Sequence, residues 1–188
     1  MVLLKVIVNK ILGGVFMEPA LFIANYIIEY SNSKQYLINN LKLQKILYFI
    51  NARSLVEKGK PMFNETIQKW KFGPVVPRVY HEYKRNGASQ ITVDDIVQQL
   101  LEFSDDKLTI NEYSAKKISN ETKKLIQETV DALDRYSAFE LVDKTHEHLI
   151  WKKDEDRILA GEQHISYKND EIERFFKTNT DEQIWLTT

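Results

Sequence analysis

The tripeptide His146-Glu147-His148 is the first candidate for chemistry in this chain of 188 residues. Imidazole and carboxylate groups are common zinc ligands. On a helix, however, residues i and i+2 point in different directions, and the i, i+4 spacing that would place two histidines on one face is absent. We therefore expect no metal site and no cofactor, and we expect His146 to be a hydrogen-bonded partner of the core near Trp151.

Patterns typical of nucleophilic catalysis and of phosphate binding are missing from the sequence. It contains no G-x-S-x-G motif. The glycines of residues 13–14 and 59–61 lack the spacing and the following helix that phosphate binding needs. The acid pairs at 94–95 and 105–106 fall at a helix start and in a turn, where capping explains them. We predict that the chain is not an enzyme; the alternative is a site assembled from residues distant in sequence.

Aromatic and basic side chains are interleaved between residues 69 and 85. Such a stretch could bind single-stranded nucleic acid by stacking and charge, or could anchor a protein partner, since Trp, Tyr and Arg are frequent at binding hot spots. The third alternative is core packing. Strand alternation places Trp70 and Phe72 on one face and Lys69 and Lys71 on the other. We therefore expect the two rings to be buried and the two lysines to be exposed.

The composition is typical of a soluble globular domain, with 43% hydrophobic and 28% charged residues. The chain has no cysteine, which excludes disulfides and cysteine-based zinc sites and suits a cytoplasmic location. Residues 1–16 are apolar, but they are too short and too interrupted by lysines for a membrane span, and they lack a convincing signal-peptide cleavage site. We expect no membrane partner.

The two halves of the sequence differ in charge. Residues 1–90 contain 13 Lys and Arg against 5 Asp and Glu, whereas residues 91–188 contain 13 against 22. A basic half can indicate an acidic partner or nucleic acid. The alternative, which we favour, is that the halves complement each other within one fold, because the basic residues are spaced along amphipathic elements.

The most informative stretch runs from residue 40 to residue 87. Apolar residues at helical spacing begin after the candidate N-caps Asn39 and Asn40 and end at Gly59, a typical helix stop. Residues 66–72 alternate between apolar and polar, as in a half-buried strand. Pro77 then opens another helix.

The remaining elements are also mostly helical. Thr92 and Asp95 form a capping-box pattern that predicts a helix to about residue 103, followed by a short strand at 107–110. Asn169 or Ser166 is expected to cap the last helix. About seven helices and two or three short strands, with no βαβ alternation, predict a mainly α, single compact helical domain with a small β-ribbon near residue 68.

The central stretch resembles the Panacea domain family, also described as GepA/SocA-like phage-associated proteins. The resemblance rests on residues 41–49 (LKLQKILYF), 59–63 (GKPMF) and 70–77 (WKFGPVVP), with Phe72 where Tyr is common. It extends over about residues 20–177. The positions that carry the motif are Leu43, Gln44, Lys45, Pro61, Phe63, Trp70, Gly73, Pro74 and Pro77.

The resemblance implies an antitoxin that neutralises a cognate protein toxin, encoded nearby, by direct binding. Some relatives resemble adaptors that deliver a toxin to a protease. The alternatives are a prophage-encoded inhibitor or regulator of a host or defence protein and, less favoured because no helix-turn-helix pattern is plain, a regulator that binds nucleic acid. The expected partner-binding residues are Tyr48, Arg53, Lys71, Val75, Arg78 and Tyr80.

Three segments are expected. Residues 1–17 form an N-terminal arm or reflect an upstream translation start, and the sequence favours neither. Residues 18–177 form the Panacea-like domain. Residues 178–188 form a tail that frays, although the apolar residues Ile184, Trp185 and Leu186 could instead dock back or bind a partner.

Overall fold

The computed structural model describes residues 17–104 and 107–186, without the side chains of residues 102–104 and 107. The expected N-terminal arm therefore lies outside the described residues, apart from its last residue. The described part contains eight α-helices and two antiparallel β-hairpins, which confirms the mainly α prediction. The helices are α1 (Ala20–Ser33), α2 (Asn40–Lys58), α3 (Pro77–Tyr83), α4 (Asn120–Asp134), α5 (Ala138–Glu147), α6 (Leu149–Lys152), α7 (Glu155–Leu159) and α8 (Asn169–Thr178).

Helix α2 is the centre of the fold. It packs against α1, α3, α4, α5 and α8, and most of its residues are buried. Its ends are those the sequence predicts. The Asn39 side chain accepts a hydrogen bond from the Lys42 amide, and Gly59 adopts a left-handed conformation at the C-terminus.

Helix α1 is buried along nearly its whole length, as its apolar sequence predicts. Its first turn is capped from a distant part of the chain. Both carboxylate oxygens of Glu65 accept a hydrogen bond from the Ala20 amide, at 3.0 Å each. A carboxylate at this end also complements the helix dipole, so the loop after α2 fixes the start of α1.

The first hairpin consists of β1 (Gln68–Trp70) and β2 (Gly73–Val75), paired antiparallel with Trp70 opposite Gly73. This is the predicted β-ribbon. A single bridge from Gln68 to Ser166 connects it to the segment before α8. Pro77 then occupies the first turn of α3, as expected.

The prediction of a helix that runs to about residue 103 is wrong, because the second hairpin occupies this part of the chain. The capping box of Thr92 and Asp95 forms, but it leads only a 3₁₀ turn. The chain then enters β3 (Gln99–Ser104), which pairs with β4 (Lys107–Glu112). Burial alternates here, with Leu100 6% exposed and Leu101 60% exposed, so the period is that of a strand.

The C-terminal segment corrects two further expectations. Lys168, not Asn169 or Ser166, is the N-cap residue of α8, and it provides no side-chain cap. The chain also does not fray after α8. Ile184 and Trp185 are buried, and the Trp185 ring lies 5.0 Å from that of Phe176, so residues 179–186 dock back onto the domain.

Candidate protein-binding site

Three of the expected motif residues, Gln44, Lys45 and Pro74, take part in hydrogen bonds that connect α2 to the first hairpin. The Lys45 ammonium donates to the Pro74 carbonyl at 2.9 Å, and the Gln44 side-chain oxygen accepts from the Val76 amide at 2.9 Å. Lys45 and Gln44 are both buried. Burial without water requires such groups to find partners, so these bonds hold the hairpin against the helix.

The close approach of the first hairpin to α2 and α5 requires glycine at position 73. Its φ is +87°, and a Cβ at this position would lie 2.5 Å from the Thr145 Oγ1 and 3.2 Å from the Lys45 Nζ. The hairpin can therefore approach α2 and α5 this closely only with glycine here. Gly73 is one of the positions that carry the motif, and this close approach is a structural reason for glycine there.

The predicted facing of residues 69–72 is wrong for Lys69 and for Phe72. Lys69 is buried, with its ammonium 2.6 Å from a carboxylate oxygen of Asp154 and also donating to the Ile150 carbonyl. Phe72 is 51% exposed, because residues 71–72 form the tight turn and the strand alternation ends at Trp70. Lys71 is exposed, as expected, and Trp70 is half-buried.

Tyr48 and Val75 do not present side chains to a partner. Tyr48 is completely buried and shares a hydrogen bond of 3.1 Å with the Nδ1 of His148, while Val75 is 4% exposed in β2. We therefore remove both from the expected binding residues. Their positions inside helix α2 and strand β2 place them in the core, because those elements are covered on nearly all sides.

Arg53 is engaged within the domain. Its guanidinium forms ion pairs of 2.7 Å with Glu57 and with Glu128, and it also donates to Thr129. These bonds connect α2 to α4. Arg53 is thus a packing residue in this conformation, remote in the fold from the first hairpin.

Lys71, Arg78 and Tyr80 lie together at the hairpin and α3, where Lys71 and Arg78 are exposed and Tyr80 is half-buried. The Trp70 ring lies 4.9 Å from that of Tyr80 in an edge-on arrangement, and the His81 ring contacts both. The Phe72 ring meets that of Phe139, at the start of α5, with centroids 6.5 Å apart.

We call this region the hairpin surface and define it by seven residues: Trp70, Lys71, Phe72, Arg78, Tyr80, His81 and Phe139. Sequence reasoning missed the contributions of Phe72, His81 and Phe139. Phe139 lies two residues after the N-cap Ser137 and is 63% exposed. An apolar residue in the first turn of a helix does not by itself indicate exposure. Its proximity to Phe72 depends on the packing of α5 and could not be predicted.

Of the two histidines of the candidate metal tripeptide, His148 is buried and His146 is half-buried. His146 lies against Trp151, as expected, but the contact is ring stacking with centroids 3.9 Å apart, and its Nε2 makes no hydrogen bond to any described residue. The described residues contain no group of three His, Cys, Asp or Glu side chains able to hold a metal ion.

His148 lies between Tyr48 and the C-terminal segment, with its Nε2 3.6 Å from the carboxylate of Glu182. Burial lowers the pKa of the His148 imidazole to about 3, and neighbouring Lys144 acts in the same direction. The ring is therefore neutral at pH 7. A neutral, enclosed imidazole suits a packing role, since a general base needs access to substrate.

None of the helices in the described part of the chain combines the length and the apolarity that a membrane crossing requires.

Comparison with known proteins supports the resemblance. A profile of the family described as "Antitoxin SocA-like, Panacea domain" matches residues 43–152. Antitoxin SocA of Caulobacter vibrioides (strain NA1000 / CB15N) is 40% identical over 79 residues, which is 42% of this chain and 42% of that relative. The matched part thus spans about two fifths of the relative's length. No solved structure matches the chain. The profile match includes the whole hairpin surface.

Proposed function

This chain belongs to the SocA-like antitoxin family with a Panacea domain, and from this premise we propose that it is an antitoxin that neutralises a cognate toxin by direct protein–protein binding. We further propose that the pair meets in the cytoplasm and that the toxin gene lies nearby. The antitoxin role comes from family membership. The proposal of direct binding is supported by the exposed aromatic side chains of the hairpin surface.

One observation supports binding over catalysis: Phe72 and Phe139, from separate elements, contact each other while each stays more than half exposed. Aromatic side chains gain free energy when water leaves them, and interfaces are enriched in them. A folded domain that keeps such a pair at its surface has a ready anchor for a partner. By contrast, His146 stacks on Trp151, and His148 is enclosed between Tyr48 and the C-terminal segment.

Two alternative functions would use the same surface with a different partner, and experiments can distinguish them from the antitoxin function. A prophage-encoded inhibitor would bind a host or defence protein without a toxic neighbour gene. A nucleic-acid regulator would bind RNA or DNA with strong dependence on salt concentration. A protease-adaptor role would add one property to the antitoxin, a fall in toxin level when the two proteins are co-expressed.

Growth rescue tests the proposal. The adjacent open reading frame is placed under tight control and induced with and without this chain. We expect growth arrest when the neighbouring gene is induced alone. When this chain is expressed with it, we expect growth to recover and the two proteins to co-purify as a complex. A harmless neighbour, or rescue in which the toxin messenger RNA disappears and no complex forms, would overturn direct neutralisation.

A further inference from the structure

We infer that the outer face of α5 recognises a basic segment of the partner, which places an apolar side chain against the Phe72–Phe139 pair. This inference deepens the proposed function and rests on it for the identity of the partner as a toxin. It adds the chemistry of the recognised segment, which family membership does not assign.

Phe139 begins a row of exposed side chains along α5. Asp143 and Glu147 follow it at intervals of four residues, and both are exposed. Residues four apart lie on the same side of a helix, about 6 Å apart along its axis. The buried residues of α5 lie on its other side: Leu141, Val142 and Thr145. The outer face thus presents an apolar anchor followed by carboxylates one and two turns further on.

The two carboxylates of this row contribute no polar contact to the fold. In the described part of the chain, neither Asp143 nor Glu147 forms an ion pair or a side-chain hydrogen bond. Glu147 is also the last residue of α5, where a carboxylate is unfavourable with the helix dipole. Glu140, by contrast, accepts a hydrogen bond of 2.7 Å from the Ser137 amide in the capping box. The row therefore carries charge that its own helix does not use.

The charge asymmetry of the two halves explains why these acids stand out. Cations of the N-terminal half pair with four acids of the C-terminal half: Glu121, Glu128, Asp134 and Asp154. The halves thus complement each other over part of the fold, as the sequence favoured. Asp143 and Glu147 belong to the acidic excess that these pairs leave over.

The nearest cations in sequence do not neutralise the row. The Lys144 ammonium lies over the Tyr136 ring, 5.0 Å from its centroid. Lys71 precedes Phe72 and is exposed, and within the described residues its ammonium has no carboxylate at ion-pair distance. The row is thus open to an external cation, and a basic segment complements its charge.

Both members of the apolar pair are held in place before binding. Phe139 lies in the first turn of a capped helix. Phe72 lies between Trp70, whose carbonyl accepts from the Trp151 indole at 3.2 Å, and Pro74, whose carbonyl accepts from a buried lysine of α2. A surface that is ordered before binding loses little conformational entropy when the partner arrives.

The acidic row disfavours two other occupants of this face. Nucleic-acid phosphates and the same face of a second copy of the chain would both meet like charge. The Phe72 and Phe139 rings meet edge-on, with an interplanar angle of 88°. This leaves an apolar corner for a side chain, whereas stacking of bases needs open ring faces along a basic groove.

A peptide selection tests the inference without knowledge of the toxin. Random peptides of about 16 residues, long enough for about four helical turns, are displayed on phage and selected on the purified full-length protein. Enriched peptides are then measured by fluorescence anisotropy. The test variants are Phe72→Ser, Phe139→Ser and the double charge reversal Asp143→Lys/Glu147→Lys.

Three further measurements serve as controls. Leu159→Ser and Asp94→Lys are matched controls, because both side chains are exposed on other elements. Lys71→Glu adds negative charge beside Phe72 and should not weaken a basic peptide. A labelled single-stranded RNA of about 20 nucleotides, longer than a typical single-strand binding site, is measured in parallel.

We expect enrichment of peptides that have a net positive charge and contain an aromatic or large aliphatic residue. Each phenylalanine variant and the double charge reversal should weaken their binding about tenfold or more, with both matched controls unchanged. Binding to wild type should also weaken between about 50 and about 500 mM NaCl, and the double charge reversal should remove this salt dependence.

Acidic or neutral winners, basic winners insensitive to the test variants, weaker binding to Lys71→Glu, no enrichment, or tighter binding of the RNA would each overturn the inference. Growth rescue by the wild type is a separate measurement. Rescue combined with any of these results would leave the antitoxin proposal standing and the basic segment refuted.

Discussion

The ammonium group of Lys45 donates a hydrogen bond to the carbonyl oxygen of Pro74 at 2.9 Å in the interior of the domain. Desolvation lowers the pKa of this lysine to about 7. The group that joins α2 to the Pro74 carbonyl is thus only partly protonated near pH 7. The stability of the platform under the hairpin surface is consequently tied to pH.

The first prediction concerns this pH dependence. Between about pH 7 and the ordinary lysine pKa of 10.5, the unfolded chain holds the Lys45 proton and the folded chain does not. Stability therefore rises with pH, by about 1 kcal/mol per pH unit from this group. Urea unfolding at pH 7, 8 and 9 measures the slope of the unfolding free energy against pH. This pH range lies below that in which the buried tyrosines titrate.

Lys45→Met should lack this rise. Lys42→Met is the control, because it removes a buried lysine that pairs with Asp134 and leaves Lys45 in place. The control should lose stability yet retain the wild-type slope. Parallel curves for wild type and Lys45→Met would contradict the assignment.

The second prediction concerns the close approach at Gly73. Gly73→Ala should destabilise the domain by about 3 kcal/mol, since it adds backbone strain and a clash with Thr145. Gly161→Ala separates the two causes: it has the same φ of +87°, but nothing lies within 4 Å of its Cβ. The control should cost only about 1 kcal/mol of strain. Equal losses in thermal unfolding would show that the contact with Thr145 carries no energy.

The third prediction concerns acid. From the ordinary pKa of 6.5 down to about 3, the unfolded chain binds a proton at His148 and the folded chain does not, so stability falls as pH falls. His148→Gln keeps an acceptor for Tyr48 and cannot titrate in this range. Its unfolding free energy should therefore decline less between pH 6.5 and 4.5. The pKa of His146 is lowered as well, first by burial, so the decline should shrink without vanishing. A steeper decline would be inconsistent with this account.

The fourth prediction concerns the C-terminal segment. Trp185 is 3% exposed against Phe49 and Phe176, so Trp185→Ala should cost about 3 kcal/mol of stability. Leu186→Ala is the neighbouring control, with a side chain 53% exposed, and should change stability by less than about 0.5 kcal/mol. Chemical denaturation measures both. Indistinguishable variants would mean that the segment does not dock in solution.

Local rules predicted much of this fold correctly. Asn39, Gly59 and Pro77 act at helix ends as their chemistry requires, and the alternation around Gln68 indicated the first hairpin. The second hairpin was missed because its capping box is real and only the following residues decide between helix and strand. Tertiary context overrode the local signal there.

The residues of the proposed binding surface were harder to predict, for a physical reason. A sequence pattern shows what type of side chain is present, but exposure depends on which elements cover it. Lys69 is buried because Asp154 is available 85 positions later, and Phe72 is exposed because the first strand ends at Trp70 and residues 71–72 form the turn. Phe139 joined the site only through the packing of α5 beside the hairpin.

The central claim is that this chain neutralises a toxin by binding it at the hairpin surface. The most direct test is isothermal titration of the purified product of the adjacent gene with wild type and with Phe72→Ser/Phe139→Ser, alongside Leu159→Ser. We predict saturable binding at a fixed stoichiometry for wild type and for the control. The double variant should bind about tenfold or more weakly and should no longer rescue growth. Full growth rescue by wild type with no measurable binding would contradict the account.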